Sequence, residues 1–112
     1  MCESEQTVAI ACTLNATDFS ERSERWRRLG SRAGIGVDRT RQGLSVVFEN
    51  LSGVSAELVE LAKLERECCA FADWAARDTG DHVILDVTAD DDLAVQAVHD
   101  MHGAFAAAMR RD

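Results

Sequence analysis

The chain has 112 residues, of which 46% are hydrophobic, contains no proline and carries a formal net charge of −8. A chain of this length buries a core without disulfide bonds, so we expect residues 1–112 to form one domain, with a loose terminus over residues 1–6. The acidic balance argues against general nucleic-acid binding, and no apolar segment is long enough to cross a membrane. Because the first residues also lack a secretory signal pattern, we expect a cytoplasmic protein with reduced cysteines.

The first half of the chain predicts a strand, a helix and a hairpin. Residues 7–14 place their larger apolar side chains, including that of Cys12, at every second position, which is the period of a strand. The spacing of Asp18 and Glu21 is typical of a capping box, and the helix that follows is expected to end near Gly34 in a left-handed cap. After it, segments 35–40 and 44–49 predict two strands joined by a tight turn.

The second half predicts a long helix, a strand and a last helix. Ser55 is the expected N-cap of the long helix, and Glu57 is an acidic residue in its first turn, where a negative charge is favourable. The apolar face of this helix is expected to continue to about Ala75. Residues 82–88 have the clearest strand pattern, and the three aspartates at 90–92 precede the last helix. The inward stripe of that helix is Ala94, Val98, Met101, Phe105 and Met109.

The order of these elements predicts an α+β fold. Strand, helix, strand, strand, helix, strand, helix matches a ferredoxin-like split βαβ (βαββαβ) sandwich with an added C-terminal helix, in which an antiparallel sheet lies under two helices. In that arrangement the strand over residues 7–14 is central. If Cys12 faces the helices, it is expected close to Cys68.

Arginines concentrate in one segment of this acidic chain. Between Ser20 and Arg41 there are seven arginines and three acidic residues, a local excess of four positive charges, so the remainder carries −12. A charged helix face of this kind commonly pairs with acidic surface of the same molecule or of a partner subunit. An anion site is the alternative interpretation.

The long helix contains the adjacent cysteines of the chain, Cys68 and Cys69. Successive helix positions are rotated by about 100°, so Cys68 is expected near the middle of the apolar face and Cys69 at its edge. Glu65 falls at the rim of that face, where a carboxylate must lose water or find a partner. Because a carboxylate and two thiols come together here, the sequence indicates chemistry at this helix.

A short motif runs through this helix, Glu65-Arg66-Glu67-Cys68-Cys69-Ala70-Phe71, with Cys12-Thr13-Leu14 far upstream. Together with the helix over residues 22–29, it resembles a group of small bacterial proteins, mostly uncharacterised, that are marked by an E-R-x-C-C-x-F helix. Similar segments occur in heavy-metal resistance neighbourhoods and in mercury-type regulators, so the resemblance implies a connection with soft metals. Many of those sequences have proline after the second cysteine, whereas Ala70 leaves the helix free to continue.

The thiols of Cys12, Cys68 and Cys69 suit mercury(II), copper(I) or trivalent arsenic, because thiolates prefer soft ions. Together with Glu65 or a histidine, the same thiols suit zinc. We therefore expect a cytosolic protein that binds a soft metal or metalloid, in resistance or sensing. The expected metal site consists of Cys68 and Cys69 as principal ligands, Cys12 as a third, and Glu65 as an auxiliary group.

The sequence leaves three alternatives open. In the first, the cysteines are small buried hydrophobes of a non-catalytic homodimer that binds a partner. In the second, Cys12 and Cys68 form a disulfide across the core, which requires Cα atoms within about 7 Å. In the third, the protein is an enzyme whose thiols hold a metal while Glu65 delivers a proton to a carbon–metal bond.

Histidines and tryptophans have plainer interpretations. His99 and His102 share one side of the last helix, which is compatible with a metal pair, although solvated surface histidines are commoner. Trp26 and Trp74 recur with apolar residues at helical spacing and are expected in the core or in a subunit interface. A homodimer is the expected assembly.

Overall fold

The structure, a computed structural model, describes residues 16–68 and 72–109, and side chains over 21–67 and 72–109. Its elements are α1 (Ala16–Ala33), β1 (Gly34–Arg39), β2 (Gly43–Glu49), α2 (Val54–Cys68), β3 (Asp73–Asp78), β4 (His82–Thr88), α3 (Asp92–Asp100) and α4 (His102–Ala108). The predicted hairpin, the strand over residues 82–88 and the last helix are confirmed, the helix in two parts that meet at Met101. None of the helices within these ranges is long and apolar enough to span a membrane.

The four strands form one antiparallel sheet in the order β1-β2-β4-β3. Successive residues of a strand point to opposite faces, so one side-chain row of each central strand lies beneath the helices. The buried row is Leu44, Val46, Phe48, Val83, Leu85 and Val87. The helices contribute Leu29, Leu58, Leu61, Val98 and Phe105 to the same core. On the opposite face, Val47 and Ile84 are partly exposed.

This architecture confirms the predicted fold class. It is an α+β structure with an antiparallel sheet under helices, consistent with a ferredoxin-like fold that carries a C-terminal helix. The described elements follow in the order α-β-β-α-β-β-α. The central place predicted for residues 7–14 is filled by β4, which pairs with β2 on one side and β3 on the other. Residues 7–14, like the expected loose terminus 1–6, lie outside the described part of the chain.

Helix α2 ends at Cys68, so the prediction of a helix that continues to about Ala75 is wrong. Residues 73–78 form β3 instead, and Trp74 stands opposite Val87 in the antiparallel pair with β4. The alanines of this segment favour a helix locally. Burial of Trp74 in the core and pairing with β4 outweigh that preference.

Helix α1 has the inward stripe that its sequence spacing predicts. The buried members of this stripe are Arg22, Trp26, Leu29 and Ala33. Asp18 lies within the helix, which already includes Ala16, so the prediction that Asp18 begins the helix as its N-cap is wrong. An arginine on the buried side of a helix requires a partner there, because an unpaired buried charge is strongly unfavourable.

Two glycines next to helices act differently from the sequence prediction. Gly34 begins β1 without a left-handed conformation, and a Cβ atom there would lie 2.6 Å from the carbonyl oxygen of Gly30. Close approach of the backbone therefore requires this glycine. Gly53, with φ of +83°, precedes α2, which begins at Val54. Ser55 is thus inside the helix and is not its N-cap.

The two C-terminal helices cover the outer edge of β1 and the turn that follows it. His99 Nε2 lies 2.8 Å from the carbonyl oxygen of Thr40, and His102 Nε2 lies 3.2 Å from that of Val37. A carbonyl oxygen accepts, so each ring nitrogen donates its proton. The histidines thus occupy backbone acceptors of an edge strand, a place where another chain otherwise tends to pair.

Candidate functional site

Glu65 of α2 is completely buried, at the rim of the apolar face where the sequence places it. Its Oε2 atom accepts a hydrogen bond of 2.8 Å from the indole Nε1 of Trp26. Arg22 Nη1 lies 3.4 Å from the same oxygen. Both of these partners belong to α1, one turn apart. The buried carboxylate therefore joins α1 to α2 through a hydrogen bond and an ion pair.

Trp26 also belongs to a cluster of three aromatic rings. Its ring centroid lies 6.2 Å from that of Trp74 in β3 and 5.6 Å from that of Phe105 in α4, the second pair edge to face. The rings of Trp74 and Phe105 are 6.4 Å apart. All three residues are buried, which confirms that both tryptophans belong to the core. The cluster brings α1, β3 and α4 together beside Glu65.

Two N–H donors in this region lack acceptors. Among the residues that the structure describes, Arg22 Nη1 and Trp74 Nε1 are buried side-chain nitrogens without a hydrogen-bond partner. The contact of Arg22 with Glu65 is thus an ion pair and not a hydrogen bond. Leaving a buried N–H without an acceptor costs about 1–3 kcal/mol, so folded proteins ordinarily provide one.

The two cysteines belong to a sequence segment that we call the thiol connection (residues 67–73), which runs from the end of α2 to the start of β3. Before it, Arg66 donates a hydrogen bond from Nη1 to the backbone carbonyl oxygen of Trp74, which follows it. Glu65 and Trp74 also both contact Trp26, the first by a hydrogen bond and the second by ring packing. Both flanks of the thiol connection are therefore fixed to the same part of the core.

The predicted ligands differ in how far the structure describes them. Glu65 is buried, and it contacts Trp26 and Arg22 as above. Cys68 is described as the last residue of α2, whereas Cys12 and Cys69 lie outside the described residues. Because residues 73–78 form β3, the helix does not continue to Ala75 as expected, and Cys68 lies in the last described turn of α2.

The C-terminus of α2 has an electrostatic environment that differs from that of a helix interior. A helix C-terminus carries a partial negative charge of roughly half an elementary charge. A cation is stabilised there, and a free thiolate is destabilised because like charges repel. The position of Cys68 at this end therefore favours thiols that bind a cation over thiols that ionise alone.

The partner of Glu65, Arg22, was not predicted from the sequence. A signal was present, because Arg22 occupies an inward position of the α1 stripe, where a charge must be paired. The two residues are far apart in sequence, and the packing of α1 against α2 brings them together. Sequence spacing alone gives no means of choosing this arginine among the seven in the segment.

Three further arginines of α1 follow the expectation of pairing with acidic surface in the same molecule, whereas Arg32 donates to the carbonyl oxygen of Ser52. Arg25 forms two hydrogen bonds of 3.0 Å with the carboxylate of Glu57 on α2. The hydrogen bond with Glu57 raises the pKa of the Arg25 guanidinium above its ordinary value, so this cation stays protonated at any physiological pH. Arg27 and Arg28 pair with Glu24 on the same helix.

Histidines do not form a second candidate site. The Nε2 atoms of His99 and His102 contact backbone oxygens of the β1 edge, and His82 is exposed at the start of β4. Over residues 21–67 and 72–109, no three His, Cys, Asp or Glu side chains come together in a group that could hold a metal ion. The thiol connection is therefore the place where a soft-metal site is to be sought.

Comparisons of the chain with protein-family models, with curated proteins and with solved structures found no match. Within the described residues, buried groups of α1, α2 and β3 meet at Glu65, Trp26 and Trp74, which flank the cysteines in the sequence.

Proposed function

We propose that this protein binds a soft metal or metalloid ion in the cytoplasm through the thiolates of Cys68 and Cys69, with Cys12 as a third ligand. The observation that carries the proposal is the position of Cys68 as the last described residue of α2, between Arg66 and Trp74, which are joined by a hydrogen bond. Mercury(II), copper(I) and trivalent arsenic are the ions that thiolates prefer, with zinc as the harder alternative.

Fixed flanks matter because a binding site gains affinity when its ligands are held in place before the ion arrives. Arg66 joins the two ends of the thiol connection through the carbonyl oxygen of Trp74. Glu65 holds α2 against α1 immediately before the cysteines. The described residues on either side of the cysteines are therefore held in place by contacts with the core.

In this proposal Glu65 supports the site and does not itself bind the ion. Its Oε2 atom already accepts the Trp26 hydrogen bond and lies next to the Arg22 guanidinium, and the side chain is completely buried. Turning that carboxylate toward a metal would leave Arg22 as an unpaired buried charge, which is strongly unfavourable. The role of Glu65 is to position the end of α2.

The helix end also weighs against the enzymatic alternative. A thiol enzyme needs a thiolate that ionises readily, and such thiolates lie near helix N-termini or cations. Cys68 is the last described residue of a helix, and the nearby Arg66 donates to the Trp74 carbonyl. A bound metal ion supplies the positive charge that this environment lacks, so ion binding fits it better than catalysis by free thiolates.

Native mass spectrometry under reducing conditions tests the proposal directly. Mercury(II) chloride, sodium arsenite, a copper(I) salt and zinc chloride are each offered to the wild-type protein. We expect one ion to be retained per chain, and Cys69→Ser or Cys68→Ser to abolish retention, because a serine hydroxyl is a poor ligand for soft ions. Cys12→Ser tests the third ligand.

The matched control is Cys2→Ser, which removes a thiol outside the proposed set. We expect this variant to retain the ion as the wild type does. Retention of none of the four ions by the wild type contradicts the proposal. Equal loss of retention in Cys2→Ser and Cys69→Ser contradicts it as well, because binding would then reflect thiol number and not this site.

We also propose that the protein is a homodimer that associates through the face of the sheet opposite the helices. Val47 of β2 and Ile84 of β4 stand opposite each other in the antiparallel pair and are partly exposed on that face. Ile35 at the sheet edge is 46% exposed. The same native mass spectra report the assembly, and a Val47→Lys change is expected to yield monomers.

A further inference from the structure

We infer that the outer edge of β3, beside α2, binds an extended peptide segment of another protein, which adds to the sheet as a further strand and places a basic residue opposite Asp78. Three features carry this inference: outward backbone groups on an edge strand, an exposed valine on the adjacent helix and an acidic side chain near the end of the strand. The inference goes beyond the proposed function and does not depend on metal binding.

The two edges of the sheet differ within the part of the chain that the structure describes. The strand order β1-β2-β4-β3 makes β1 and β3 the edge strands. On the β1 edge, His102 and His99 contact the carbonyl oxygens of Val37 and Thr40. On the β3 edge, no described strand lies beyond β3. An edge of this kind offers its backbone groups to another strand.

The direction of the β3 backbone groups follows from the turn that joins β3 to β4. The N–H of Thr79 donates to the carbonyl oxygen of His82 at 2.9 Å, so these two residues form a hydrogen-bonded pair. Hydrogen-bonded and non-hydrogen-bonded pairs alternate along an antiparallel ladder, and the register between β3 and β4 is regular. The N–H and C=O groups of Asp78 and Ala76 therefore face away from β4.

A side-chain contact supports this alternation independently. Trp74 is two residues before Ala76, so its carbonyl oxygen faces outward as well, and Arg66 of α2 donates to it. This contact occupies the first part of the edge, because the Trp74 carbonyl already has a donor. The segment left for a new strand runs from Ala76 to Asp78. A residue of an antiparallel strand placed opposite Ala76 exchanges two backbone hydrogen bonds with it.

The side of α2 that faces this edge is partly apolar. The helix packs along β3, and Arg66 in its last turn reaches Trp74 at the start of the strand. Val59 precedes Arg66 by about two turns, so it projects from the same side of α2, beside the later residues of β3. It is 52% exposed. A side chain opposite Ala76 points toward the helices, so an apolar residue there gains a contact with Val59.

Charge selects the residue two positions away in the incoming strand. Asp78 lies on the same face of β3 as Ala76, and its Oδ1 atom accepts from the side chain of Asn50 and from the N–H of Gly80. Within the described ranges no cation pairs with this carboxylate. A lysine or arginine opposite Asp78 therefore forms a cross-strand ion pair. The net charge of −8 attracts a basic partner as well.

A second copy of this chain fits the edge less well than a basic peptide does. Antiparallel self-pairing centred on Ala76 places Trp74 opposite Asp78, and Trp74 supplies neither a cation nor a carbonyl oxygen without a donor. Self-pairing centred on Arg77 places two arginines directly opposite each other, and like charges in that position are destabilising. The antiparallel partner that this edge selects has a basic residue two positions before an apolar one.

Amide exchange and peptide titration, both followed by NMR spectroscopy on the whole chain without metal, test the inference. The probe is an acetylated and amidated pentapeptide, Thr-Lys-Thr-Val-Thr, whose lysine is designed to lie opposite Asp78 and whose valine opposite Ala76. In the protein without peptide, we expect the Ala76 and Asp78 amides to exchange at least about tenfold faster than those of Ala75 and Arg77, which face β4. The probe should slow exchange at Ala76 and Asp78.

Matched peptides and variants separate the contribution of the backbone from that of charge. N-methylation of the probe's valine removes the donor to the Ala76 carbonyl oxygen and is expected to weaken binding at least about fivefold. Asp78→Asn keeps the acceptor oxygen for Asn50 and Gly80. It should weaken binding of the lysine probe about two- to fivefold and leave a probe with glutamine in place of lysine unchanged. Asp38→Asn, on the opposite edge strand, is the control and should bind as the wild type does.

Four results would overturn the inference. Slow exchange at Ala76 without peptide shows that this chain already covers the edge. No spectral change at about 1 mM probe shows that the edge binds no such strand. Equal affinity of the methylated and unmethylated probes places the peptide elsewhere. Self-association that Ala76→Pro abolishes and Val47→Lys leaves intact shows that a second copy occupies the edge, because proline removes an outward N–H.

The peptide probes and Asp78→Asn keep the inference testable if Ala76→Pro does not fold. None of these measurements involves the thiols. Failure of metal binding and failure of peptide binding are therefore distinguishable.

Discussion

Two arginine–glutamate ion pairs join α1 to α2. They have the same chemistry, but one is partly exposed to water and the other is buried. Arg25 and Glu57 meet through two hydrogen bonds of 3.0 Å, with side chains 31% and 36% exposed. Arg22 and Glu65 meet at 3.4 Å, with side chains 10% and 1% exposed. The partly exposed pair therefore has the shorter distance between its charged groups. The buried pair has the looser contact and lies beside the thiol connection.

This difference shows that geometry alone does not measure the importance of an ion pair. In water, a well-formed pair gains little because each charge is already hydrated, and exposed pairs contribute about 0.2–1 kcal/mol. In the core, an imperfect pair is still essential, since removing one charge leaves the other without water or partner. Loss of the buried pair should therefore affect both stability and the proposed site, and loss of the exposed pair should affect neither strongly.

The largest expected effect comes from Glu65→Gln, which keeps the shape of the side chain and removes its charge. Arg22 then becomes an unpaired buried cation, and we expect unfolding to become easier by about 3–5 kcal/mol. Urea denaturation followed by tryptophan fluorescence measures this change, with Glu57→Gln as the matched control on the same helix. Similar unfolding midpoints for the two variants would contradict the comparison.

An intermediate effect is expected when either tryptophan is replaced. The two substitutions compare a buried N–H that has a hydrogen-bond acceptor with one that has none among the described residues. Trp26→Phe removes a hydrogen bond to the carboxylate of Glu65, and such bonds to charged groups contribute about 1.5–3 kcal/mol. Trp74→Phe removes an N–H that has no partner among the described residues, so its cost in the ion-free protein is confined to packing. We therefore expect Trp26→Phe to be the less stable variant in urea, and the reverse order would refute the assignment.

The smallest expected effect is that of Glu57→Ala, which breaks the exposed pair. We expect a loss of about 0.2–1 kcal/mol at low salt that largely disappears at about 1 M salt, because surface charges are screened. The pKa of Arg25 is raised in the folded protein, so the contribution of its charged guanidinium is fully present at neutral pH and is lost only as pH rises through the folded value. Stability curves of the wild type and Glu57→Ala should thus run parallel between pH 6 and 8, within about 0.5 kcal/mol.

The fold was predictable where local pattern and tertiary environment agree. In β4, the alternating apolar residues that predict a strand are the ones buried in the core. In α1, the residues at helical spacing that predict an inward stripe are buried as well. The segment from Asp73 to Asp78 is the counterexample. Its alanines favour a helix, and the signal for a strand was the turn at Gly80, which has φ of +99° and joins β3 to β4. Pairing with a distant strand outweighs the local preference.

The candidate site was predictable in part. The sequence alone indicated that Glu65 needs a partner, because its position on an apolar helix face follows from spacing. It did not indicate that Arg22 and Trp26 are near that carboxylate, since this depends on how α1 lies on α2. It also predicted that the helix continues to about Ala75, whereas residues 73–78 form β3. Cys68 therefore lies in the last described turn of α2, where the helix dipole acts on it.

The sequence by itself determined the α+β class, the thiols as the candidate ligands and the burial of a carboxylate, because each follows from residue type and local period. The tertiary structure alone decided that β4 is a central strand, that Arg22 faces Glu65 and that Trp74 has an N–H without a described partner. The reason is physical: these features depend on contacts between segments far apart in the chain, and such contacts are set by packing of the whole core.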